Sequence, residues 1–521
     1  MRRRSWWGWG WEDQALTPEQ KQSLAGAVGA RLGLGDIEVQ SPPDLDAAVL
    51  PPPRFEPPAA LARLCSTEPF DRASHTYGKS FRDVVRGFNG DLSPAPSFVA
   101  YPESEADVVA LLDWCASAGA PAVPYGGGSS VVGGTELAGG VCIDMTRMDR
   151  VVEIDRASRA ARIQGGALGP VLEEQLRPEG YTLRHYPQSF EFSTLGGWLA
   201  TRSGGHYATN YTHIDDFCES MRVVTPAGLV ESRRLPGSGA GPSPDRLFLG
   251  SEGTLGIITE AWMRVQERPV HKSSAGVRFE TFNAGVAAAR ALSQAALFPA
   301  NCRLLDPGEA MTAAGVADGS ALLVLGFESA DHPVDAWMAR AVELVQDHGG
   351  TLPEGVRTSS GEGAAGAWKG SFLRAPYTRD ALVAMDVIVE TFETAITWDR
   401  FDALHASVTD TVDKALAEVC GGGWITCRFT HVYPDGPAPY FSVVAPGRRG
   451  SLVQMWDEVK QAASEALLAA GGTITHHHAV GRDHRPWYER QRPDLFADAL
   501  RAAKSTLDPS GVLNPGVLFA S

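Results

Sequence analysis

A run of three consecutive glycines constrains this chain more than any other feature of its sequence. The run, Gly126–Gly128, lies within Tyr125–Gly134 and follows a short apolar segment. Without a Cβ on these residues, the backbone can adopt positive φ, and a large group can press directly against its amides. Consecutive amides that point into one concavity form a nest for an anion such as a pyrophosphate, and Ser129 and Ser130 can add hydroxyl donors. The alternative is a flexible surface loop, and only the rest of the chain can decide between the two.

The composition predicts a soluble globular protein and argues against one class of partner. At 521 residues the chain is too long for a single core, so we expect two or three domains. The net charge of −16 argues against a nucleic acid partner, because phosphate backbones select basic surfaces. A small anionic substrate held by a few local arginines is compatible with this charge. The seven cysteines lack CxxC spacing, which predicts reduced thiols in a cytoplasmic protein.

The first eleven residues are basic and rich in tryptophan. Met1–Trp11 lacks the apolar core of a signal peptide, and Glu12 and Asp13 follow at once. No run in the sequence reaches the length that a membrane-spanning helix needs. Two interpretations of the tryptophans stay open. They can form a peripheral membrane contact, or they can pack on the protein itself or on a partner subunit.

The residue patterns divide the chain into four segments. Residues 1–92 are rich in proline and predict an N-terminal segment that wraps around a short helix at Pro18–Leu32. Residues 93–268 alternate strands and helices with glycine-rich turns. Residues 269–475 form a second domain, and residues 476–521 form a C-terminal segment.

Local patterns place several elements within these segments. Ser104 is a candidate N-cap for a helix that runs to Ala118. In the second domain, strand and helix patterns alternate and end in a hairpin, which predicts an antiparallel sheet with helices on one face. The strand-like stretches are Val277–Glu280, Ala321–Glu328, Gly423–Val432 and Tyr440–Val444. The helical stretches are Ala284–Ala296, Val334–Asp347, Ala381–Thr394, Phe401–Val419 and Ser451–Ala470, with a last helix from about Pro486 to Leu507.

Two more glycine-containing blocks follow the first. One is Pro187–Trp198, with the pattern P-x-S-x-x-x-S-T-x-G-G-W, and the other is Gly250–Thr259. Together with Tyr125–Gly134, they resemble the FAD-binding domain of the vanillyl-alcohol-oxidase (PCMH-type) flavoprotein family. The resemblance implies an α+β fold, with a PCMH-type FAD-binding domain of two subdomains and a substrate (cap) domain whose antiparallel sheet is covered by helices. A Rossmann domain fits poorly, because Gly126 and Gly128 lack the third glycine at its expected place.

This resemblance implies FAD as the cofactor. The glycine loop would hold the pyrophosphate, the second block would flank the ring system, and the third block would reach the adenosine side. Because the glycine loop contains neither histidine nor cysteine, we expect the FAD to be non-covalent. The implied cofactor residues are Tyr125, Gly126, Gly127, Gly128, Ser129, Ser130, Val131, Pro187, Ser189, Ser193, Thr194, Gly196, Gly197, Asp215, Glu252, Gly253, Gly256, Ile257 and Ile258.

Three consecutive histidines, His476, His477 and His478, follow the second domain. Their obvious interpretation is metal binding. However, adjacent side chains on an extended segment point in opposite directions, and no companion ligand spacing stands out. We therefore expect no metal. One or two of these histidines are better suited to carry protons or to donate to an anion beside the flavin, since imidazole titrates near neutrality.

Four arginines and one tyrosine complete the set of candidates. Arg303, Arg374, Arg379 and Arg428 offer guanidinium groups that suit a phosphate or a carboxylate. For each arginine taken alone, the alternative is a surface ion pair. For Tyr440, the alternative is an aromatic side chain that packs within the sheet.

Segments along nearly the whole chain resemble one branch of the flavoprotein family, the alkyldihydroxyacetonephosphate synthases. By motif position, this resemblance implies that Tyr440 is the catalytic acid and that His476–His478 are essential histidines. It also implies that Arg379 acts in the active site and that Arg303 is functionally important. We expect Arg303, Arg379 and Arg428 to bind substrate. The segments that carry it are Trp7–Gly10, Phe190–Thr194, Arg379–Asp380, Glu390–Thr394, Thr397–Arg400 and His476–Gly481.

This branch implies an unusual reaction for a flavoenzyme. It exchanges the acyl chain of acyl-dihydroxyacetone phosphate for a fatty alcohol through an adduct at N5 of the flavin, without net redox change, in ether-lipid synthesis. A histidine would take a proton from C1, Tyr440 would relay it, and Arg379 or Arg303 would hold the phosphate. The implied partners are a lipid-like or small anionic substrate, a second subunit in a homodimer and, at most, a peripheral membrane surface.

Some positions depart from this branch and keep an alternative open. Gln188 stands where the family commonly has Asp, Ala479 replaces a Gly, and the region after Asp306 is short. The Asn514–Gly516 tail is closer to the D-lactate and glycolate dehydrogenase branch. The alternative is an FAD-linked oxidation of a 2-hydroxy acid by hydride transfer, with a histidine as base and an arginine on the carboxylate.

Overall fold

Three large β-sheets organise the chain, each built from a different stretch of sequence. The computed structural model describes residues 2–207, 213–358 and 363–520. Within these ranges, a four-stranded and a five-stranded sheet precede a seven-stranded sheet in the sequence. A pair of short strands, β7 (Tyr181–Thr182) and β11 (Gln266–Glu267), completes the described sheets.

The four-stranded sheet carries the glycine loop. Strands β2, β4 and β3 run parallel in that order, and β1 pairs antiparallel with β2. Helix α4 (Glu105–Ala118) packs against this sheet and starts where the Asp107 amide donates to the Ser104 hydroxyl at 3.2 Å, so its predicted bounds are confirmed. Because β3 ends at Tyr125, the glycine loop follows directly from a buried strand. The strands are β1 (Cys65–Ser66), β2 (Phe98–Ala100), β3 (Ala122–Tyr125) and β4 (Val141–Asp144).

The five-stranded sheet is antiparallel, in the order β5–β6–β10–β8–β9. Its core includes Trp198 on helix α6, which is 2% exposed. Two sheets within residues 65–264 confirm the expected two subdomains of the FAD-binding fold. The strands are β5 (Val151–Asp155), β6 (Ala160–Gln164), β8 (Cys218–Thr225), β9 (Gly228–Glu231) and β10 (Ile257–Arg264). The helices of this region are α5 (Gly169–Leu176), α6 (Leu195–Thr201) and α7 (Asp245–Phe248).

The seven-stranded sheet forms the second domain and is antiparallel, as predicted. Its order is β15–β12–β14–β13–β17–β18–β16. The strands are β12 (His271–Phe279), β13 (Asn301–Leu305), β14 (Ala321–Ser329), β15 (Val356–Arg357), β16 (Val387–Glu393), β17 (Trp424–Val432) and β18 (Pro437–Pro446). The helices are α8 (Phe282–Gln294), α9 (Pro307–Ala314), α10 (Asp335–Asp347), α11 (Gly363–Val383), α12 (Trp398–Ala415) and α13 (Leu452–Ala469).

The helices cover both faces of this sheet, so the expectation of helices on one face is wrong. Helices α8, α10, α12 and α13 pack on one face, and α9 packs on the other with part of α11. The strands show why. Leu304 and Leu323 join the first core, whereas their neighbours Leu305 and Leu322 join the second. Apolar side chains on both faces of a strand require cover on both sides.

Two predicted helices also differ from the structure. The stretch predicted as one helix, Ala381–Thr394, contains the end of α11 and then strand β16. Its β-branched residues favour the strand, which pairs with β18 over its full length. The predicted helix from Pro486 to Leu507 is two helices, α14 (Arg485–Gln491) and α15 (Asp494–Leu507). Pro493 separates them, because proline has no amide to continue the first helix.

The tryptophan-rich N-terminus packs on the protein itself. Trp6 and Trp9 are only 8% and 7% exposed, and Trp9 meets Phe192 edge to face. The Arg4 guanidinium donates to the carbonyl of Gly127 at 2.8 Å. Of the two interpretations, packing on the protein is therefore the one the structure supports. Helix α1 spans Pro18–Leu32 as predicted, and the short helices α2 (Pro69–Ser74) and α3 (Phe81–Phe88) follow. None of the described helices is long and apolar enough to span a bilayer.

Candidate active site

One large cavity joins the two domains. Its volume is about 930 Å³, at the upper end of the range of roughly 300–1,000 Å³ for ligand pockets. The FAD-binding domain contributes the glycine loop, the start of α6 and the start of β10. The second domain contributes residues of β13, β16, β17 and β18, of helices α9 and α11, and of the histidine stretch.

Nearly all the predicted cofactor residues line this cavity. They come from the three glycine-containing blocks, which the two sheets bring together. The lining includes Tyr125, Gly126, Gly127, Gly128, Ser129, Ser130, Val131, Pro187, Ser189, Ser193, Thr194, Gly196, Gly197, Glu252, Gly253, Gly256, Ile257 and Ile258.

Asp215 is the exception among the predicted cofactor residues. Its carboxylate is buried and pairs with Arg202 at 2.7 Å and with Arg246 at 3.0 Å, and the residue is not part of the described cavity lining. Asp215 was predicted to bind the cofactor, and in this structure its carboxylate faces two arginines and not the described cavity. Its two arginine partners, at distant positions in the sequence, explain its burial instead.

The glycine loop has the features that a pyrophosphate needs. A Cβ on Gly127 would lie 1.7 Å from the carbonyl oxygen of Phe192, so only glycine fits this close approach. Within the described part of the chain, the amides of Gly127–Val131 donate to no protein acceptor. Buried or lining amides without a partner are expected to bind an external acceptor. The loop is therefore a nest that fits the pyrophosphate of FAD.

Glu252 holds the C-terminal segment against the cavity. Its carboxylate accepts hydrogen bonds from the amides of Val480 at 2.9 Å and Gly481 at 2.8 Å. Burial raises the pKa of the Glu252 carboxyl to about 7. The side chain of Asn514 donates to the carbonyls of Gly134, at 3.0 Å, and Glu252, at 2.8 Å, which ties the tail to two of the three blocks.

A cationic group that sequence reasoning missed lies beside the glycine loop. Lys79 is 4% exposed and lines the cavity, and its amide donates to the carbonyl of Ser130. Burial, together with the charge of Arg4, lowers the pKa of the Lys79 ammonium to about 8. The Arg379 guanidinium donates to the carbonyl of Lys79 and pairs with Asp380 at 3.2 Å. Gly78 precedes Lys79 where a Cβ would lie 2.4 Å from the carbonyl oxygen of Ser130, so the close approach of this segment to the glycine loop requires glycine.

Arg428 and Tyr440 form a second group together with a glutamate. The guanidinium carbon of Arg428 lies 3.9 Å from the ring centroid of Tyr440, and Arg428 pairs with the buried carboxylate of Glu309. Burial raises the pKa of the Tyr440 phenol, and Arg428 opposes this shift. Glu309 was missed because it lies 119 positions from Arg428. Arg428 lines the cavity, but its guanidinium already interacts with Glu309 and Tyr440, so a substrate would share it with them.

Arg303 is a buried cation on β13. It is 2% exposed, lines the cavity and donates to the carbonyl of His206 at 3.0 Å. Burial, and then the charge of Arg428, lower the pKa of the Arg303 guanidinium to about 9. A cation in this position is stabilised by an anion, so Arg303 suits a phosphate or a carboxylate.

The three histidines surround one buried carboxylate, and their side chains point in different directions. The Glu393 carboxylate accepts from the amides of His476, His477 and His478 at 2.6–3.2 Å. Although burial opposes its charge, the neighbouring His477 holds the pKa of the Glu393 carboxyl well below its usual range. His477 and His478 line the cavity, whereas His476 turns away towards Tyr433. All three were predicted as catalytic, and the structure places His477 and His478 at the cavity and His476 behind them.

His431 supplies the companion that the sequence did not indicate. Ring nitrogens of His431, His476 and His477 lie within 4.8 Å of one another, close enough for a metal ion. However, Nδ1 of His476 lies 3.0 Å from Nδ1 of His477, and Nε2 of His431 lies 2.8 Å from the carbonyl oxygen of Gly205. These contacts favour a hydrogen-bonded histidine cluster over a set of metal ligands.

The cavity has the opposite charge to the whole protein. Its described lining includes five cationic side chains and three carboxylates, although the chain carries a net charge of −16. The cations are Lys79, Arg303, Arg374, Arg379 and Arg428, and the carboxylates are Glu252, Glu309 and Glu390. Such a local surplus of cations suits phosphate groups.

Two family models match the chain and define its class. The model described as "FAD binding domain" matches residues 96–232, and the model described as "FAD linked oxidases, C-terminal domain" matches residues 268–518. With the amide nest and the two-subdomain fold, they define an FAD-dependent flavoprotein of the vanillyl-alcohol-oxidase type.

Relatives and solved structures narrow this class. An alkyldihydroxyacetonephosphate synthase of Dictyostelium discoideum is 33% identical over 478 residues, which cover 86% of this chain and 77% of the relative. A solved structure of alkyldihydroxyacetonephosphate synthase matches with a TM-score of 0.81 at 28% identity and covers 98% of both chains. The chain belongs to the alkyldihydroxyacetonephosphate synthase family. A glycolate oxidase subunit of Bacillus subtilis is more distant, at 26% identity over 82% of this chain and 89% of the relative.

Proposed function

We propose that this chain exchanges the acyl chain of acyl-dihydroxyacetone phosphate for a fatty alcohol, with non-covalent FAD, in ether-lipid synthesis. The observation that carries the proposal is one cavity that combines an amide nest, buried cations and the group of Tyr440 with two histidines. The alkyldihydroxyacetonephosphate synthase relatives support this reaction over the oxidation of a 2-hydroxy acid, because the glycolate oxidase relative is more distant.

The residues around the glycine loop would bind the cofactor. Amides of Gly127–Val131 and the hydroxyls of Ser129 and Ser130 would hold the pyrophosphate, with Lys79 beside them. When bound, the oxidised flavin supplies an electrophilic ring system that accepts the substrate carbon. The loop has no histidine or cysteine side chain for a covalent tether. Acid precipitation of the purified protein is therefore expected to leave all its FAD in the supernatant, and FAD retained in the pellet would contradict non-covalent binding.

Buried cations would hold the phosphate of the substrate. Arg303 and Arg379 both line the cavity. Arg303 lies near Arg428, and Arg379 lies near Lys79. A phosphate held by Arg303 or Arg379 would pair with a guanidinium group, and at Arg303 it would neutralise a charge that burial disfavours. This arrangement anchors the polar end of the substrate and leaves its acyl chain to the rest of the cavity.

Part of the lining suits an acyl or alkyl chain. The side chains on this part are apolar and come from helices α9 and α11 and from strands β16 and β18. They are Ala313, Phe372, Ala375, Pro376, Leu382, Val389 and Val444. An apolar surface of this kind favours a lipid-like substrate over a small hydroxy acid, because burial of methylene groups contributes roughly 0.8 kcal/mol each.

His477 is placed to act as the base at C1 of the substrate. It lines the cavity, and its Nδ1 lies 3.4 Å from the Glu393 carboxylate, which stabilises the imidazolium that forms when Nε2 takes a proton. His478 is different, because burial lowers the pKa of its imidazole to about 3 and keeps it neutral. Tyr440, whose ring lies 6.1 Å from that of His477, would relay the proton.

The deciding experiment compares two substrates on the FAD-bound protein. Acyl-dihydroxyacetone phosphate with a labelled long-chain alcohol is expected to yield labelled ether product, while D-lactate and glycolate leave the flavin oxidised under anaerobic conditions. Bleaching by a hydroxy acid without ether formation would contradict the proposal and support the oxidase alternative. No reaction with either substrate would contradict both.

We further propose that the protein reaches its lipid substrate by peripheral membrane contact. Met311 on α9 and Leu373 on α11 are 43% and 51% exposed, and each is adjacent in sequence to a residue that lines the cavity. Exposed apolar side chains beside a lipid site can enter a bilayer interface. Flotation with phosphatidylcholine vesicles is expected to carry the protein, and the Met311→Ser/Leu373→Ser variant is expected to stay behind. Equal flotation of both would contradict this contact surface.

A further inference from the structure

A second cavity lies on the far side of the histidine stretch. It has a volume of about 430 Å³ and, in the described part of the chain, shares no lining residue with the large cavity. Its lining includes Tyr433 and polar side chains of Arg400, Thr473 and Gln491. The histidine stretch therefore separates two chambers, one of which contains the groups of the proposed reaction.

A continuous chain of hydrogen-bond contacts joins the two cavities. It begins at His477, which lines the large cavity, and passes from Nδ1 of His477 to Nδ1 of His476 over 3.0 Å. It continues from Nε2 of His476 to the hydroxyl of Tyr433 over 2.6 Å. Tyr433 lines the second cavity, and His213 offers a side branch at 3.2 Å from Nε2 of His476 and 3.1 Å from the Tyr433 hydroxyl. Both ring nitrogens of His476 therefore take part.

We propose that His476 and Tyr433 form a proton relay from His477 in the large cavity to the second cavity. The relay rests on the proposed function, whose reaction releases one proton per turnover. In that reaction the O–H bond of the alcohol and the bond between C1 and the acyl oxygen break, and the ether bond forms. The fatty acid leaves as a carboxylate at neutral pH, so one proton per turnover must reach solvent. No oxidant or reductant is consumed.

The state of His476 suits a relay that passes protons without storing them. Burial, followed by the charge of His477, lowers the pKa of the His476 imidazole well below its usual range. The ring therefore stays neutral, accepts a proton at Nδ1 and releases the proton of Nε2 to the Tyr433 oxygen. The titratable groups around His476 are His213, His431, Tyr433, His477, His478 and Glu393.

The architecture holds the relay in place from both ends. The amides of His476 and His477 donate to Glu393, which fixes the backbone between the two rings. The carbonyl of Tyr433 accepts from the indole of Trp398 at 3.0 Å, and the Tyr433 amide donates to Gly436 at 2.8 Å. The Tyr433 hydroxyl is therefore positioned by contacts of its backbone, so its removal leaves those supports intact.

The test removes the Tyr433 hydroxyl from the FAD-bound enzyme. Tyr433→Phe is expected to lower kcat for ether formation about 10-fold with little change in KM, since loss of a proton-transfer group lowers the rate of proton steps. The deficit is expected to shrink as pH rises, because hydroxide can then take the proton directly. Added imidazole, small enough for the second cavity, is expected to restore part of kcat. A role in packing alone would not respond to imidazole.

Matched variants keep the outcome unambiguous. Tyr488→Phe on α14 removes a tyrosine hydroxyl outside the relay and is expected to keep the kcat of the natural enzyme. If Tyr433→Phe loses FAD, His476→Gln carries the same measurements. If the natural enzyme is active and the relay variants match it in kcat, pH profile and response to imidazole, the relay is overturned and the proposed function stands. An inactive natural enzyme would overturn the proposed function, and the relay as stated would fail with it.

Discussion

Two walls of the large cavity recognise their ligands in different ways. The backbone wall, formed by the glycine loop after β3 and the start of α6, presents amides and few side chains. The side-chain wall, formed by β13, β17, β18 and the histidine stretch, presents charged groups that are held by other charged groups. The backbone wall depends on glycines, which have no Cβ at the positions of close approach. The side-chain wall depends on pairs of charged side chains, and both members of each pair must be present.

This difference implies different consequences of substitution. On the backbone wall, an added Cβ forces the backbone of the loop to move, so the affinity for FAD is expected to fall before turnover does. On the side-chain wall, the loss of one group leaves the cavity shape intact but removes a proton carrier or leaves a partner unpaired. Binding of FAD and turnover can therefore be separated by single substitutions.

Tyr440→Phe is expected to give the largest effect and to act on turnover alone. The change removes the proposed acid while the ring keeps its contact with Arg428. We expect kcat to fall by about 100-fold or more, as is usual when a proton-transfer group is lost. The FAD content, read from the visible spectrum, is expected to equal that of the natural enzyme. Full turnover in this variant would remove Tyr440 from the mechanism.

Gly127→Ala is expected to act on FAD binding. Its new Cβ would lie 1.7 Å from the Phe192 carbonyl oxygen, so the loop must move. We expect FAD affinity to fall by about 100-fold, which corresponds to about 3 kcal/mol and is typical of overpacking. Titration of the apoprotein with FAD measures this directly. Gly237→Ala is the control, since a Cβ there meets nothing within 4 Å, and equal losses in both variants would contradict the backbone wall.

Glu252→Gln is expected to change how stability depends on pH. The folded pKa of Glu252 is about 7, above its ordinary value of 4.5, so the folded state binds more protons between these values. The stability due to this carboxyl is fully present below about pH 4.5 and is lost as pH rises through 7, by up to about 3 kcal/mol. The Tm of the natural protein should fall over this range more steeply than that of the variant. Parallel profiles would show that Glu252 does not titrate there.

Lys79→Met is expected to give the smallest of these effects. It tests a charged side chain that lies beside the backbone wall. The side chain loses its charge but keeps its length, so FAD affinity is expected to fall about 10-fold, or about 1.4 kcal/mol. Because the pKa of Lys79 is about 8, the natural protein should lose affinity as pH rises through 8, and the variant should not. Lys272→Met, at an exposed position of β12, is the control. A variant that binds FAD as the natural protein does would contradict a role at the pyrophosphate.

The features that could be predicted from the sequence are those that local chemistry determines. The bounds of α1 and α4 follow from their caps, Thr17 and Ser104, whose hydroxyls accept amides of the first turn. The backbone wall is equally local, because consecutive glycines restrict what a loop can do wherever it lies. The order of three glycine-containing blocks then identified the cofactor and the class of fold.

The features that could not be predicted depend on pairs distant in the sequence. Glu309 lies on α9 and meets Arg428 on β17 only when the sheet forms. The sequence marked Asp215 as a candidate because it is acidic, but its carboxylate pairs with two arginines away from the cavity. His476 shares its type with its neighbours, but its ring contacts the Tyr433 hydroxyl, whereas His477 and His478 line the cavity. Pattern alone gives the residue types of the side-chain wall and not their directions.

The return of the tail to the FAD-binding domain has a consequence for biosynthesis. Asn514 bridges Gly134 and Glu252, and the amide of Ala122, on the strand that leads to the glycine loop, donates to Val512 at 2.8 Å. A ribosome must therefore translate some 380 further residues after Gly134 before the contact between Asn514 and Gly134 can form. Domains usually fold as they emerge, but contacts of such high sequence separation form late. Capture of FAD is thus expected to be a post-translational event, and nascent chains shortened before Asn514 should emerge without bound flavin.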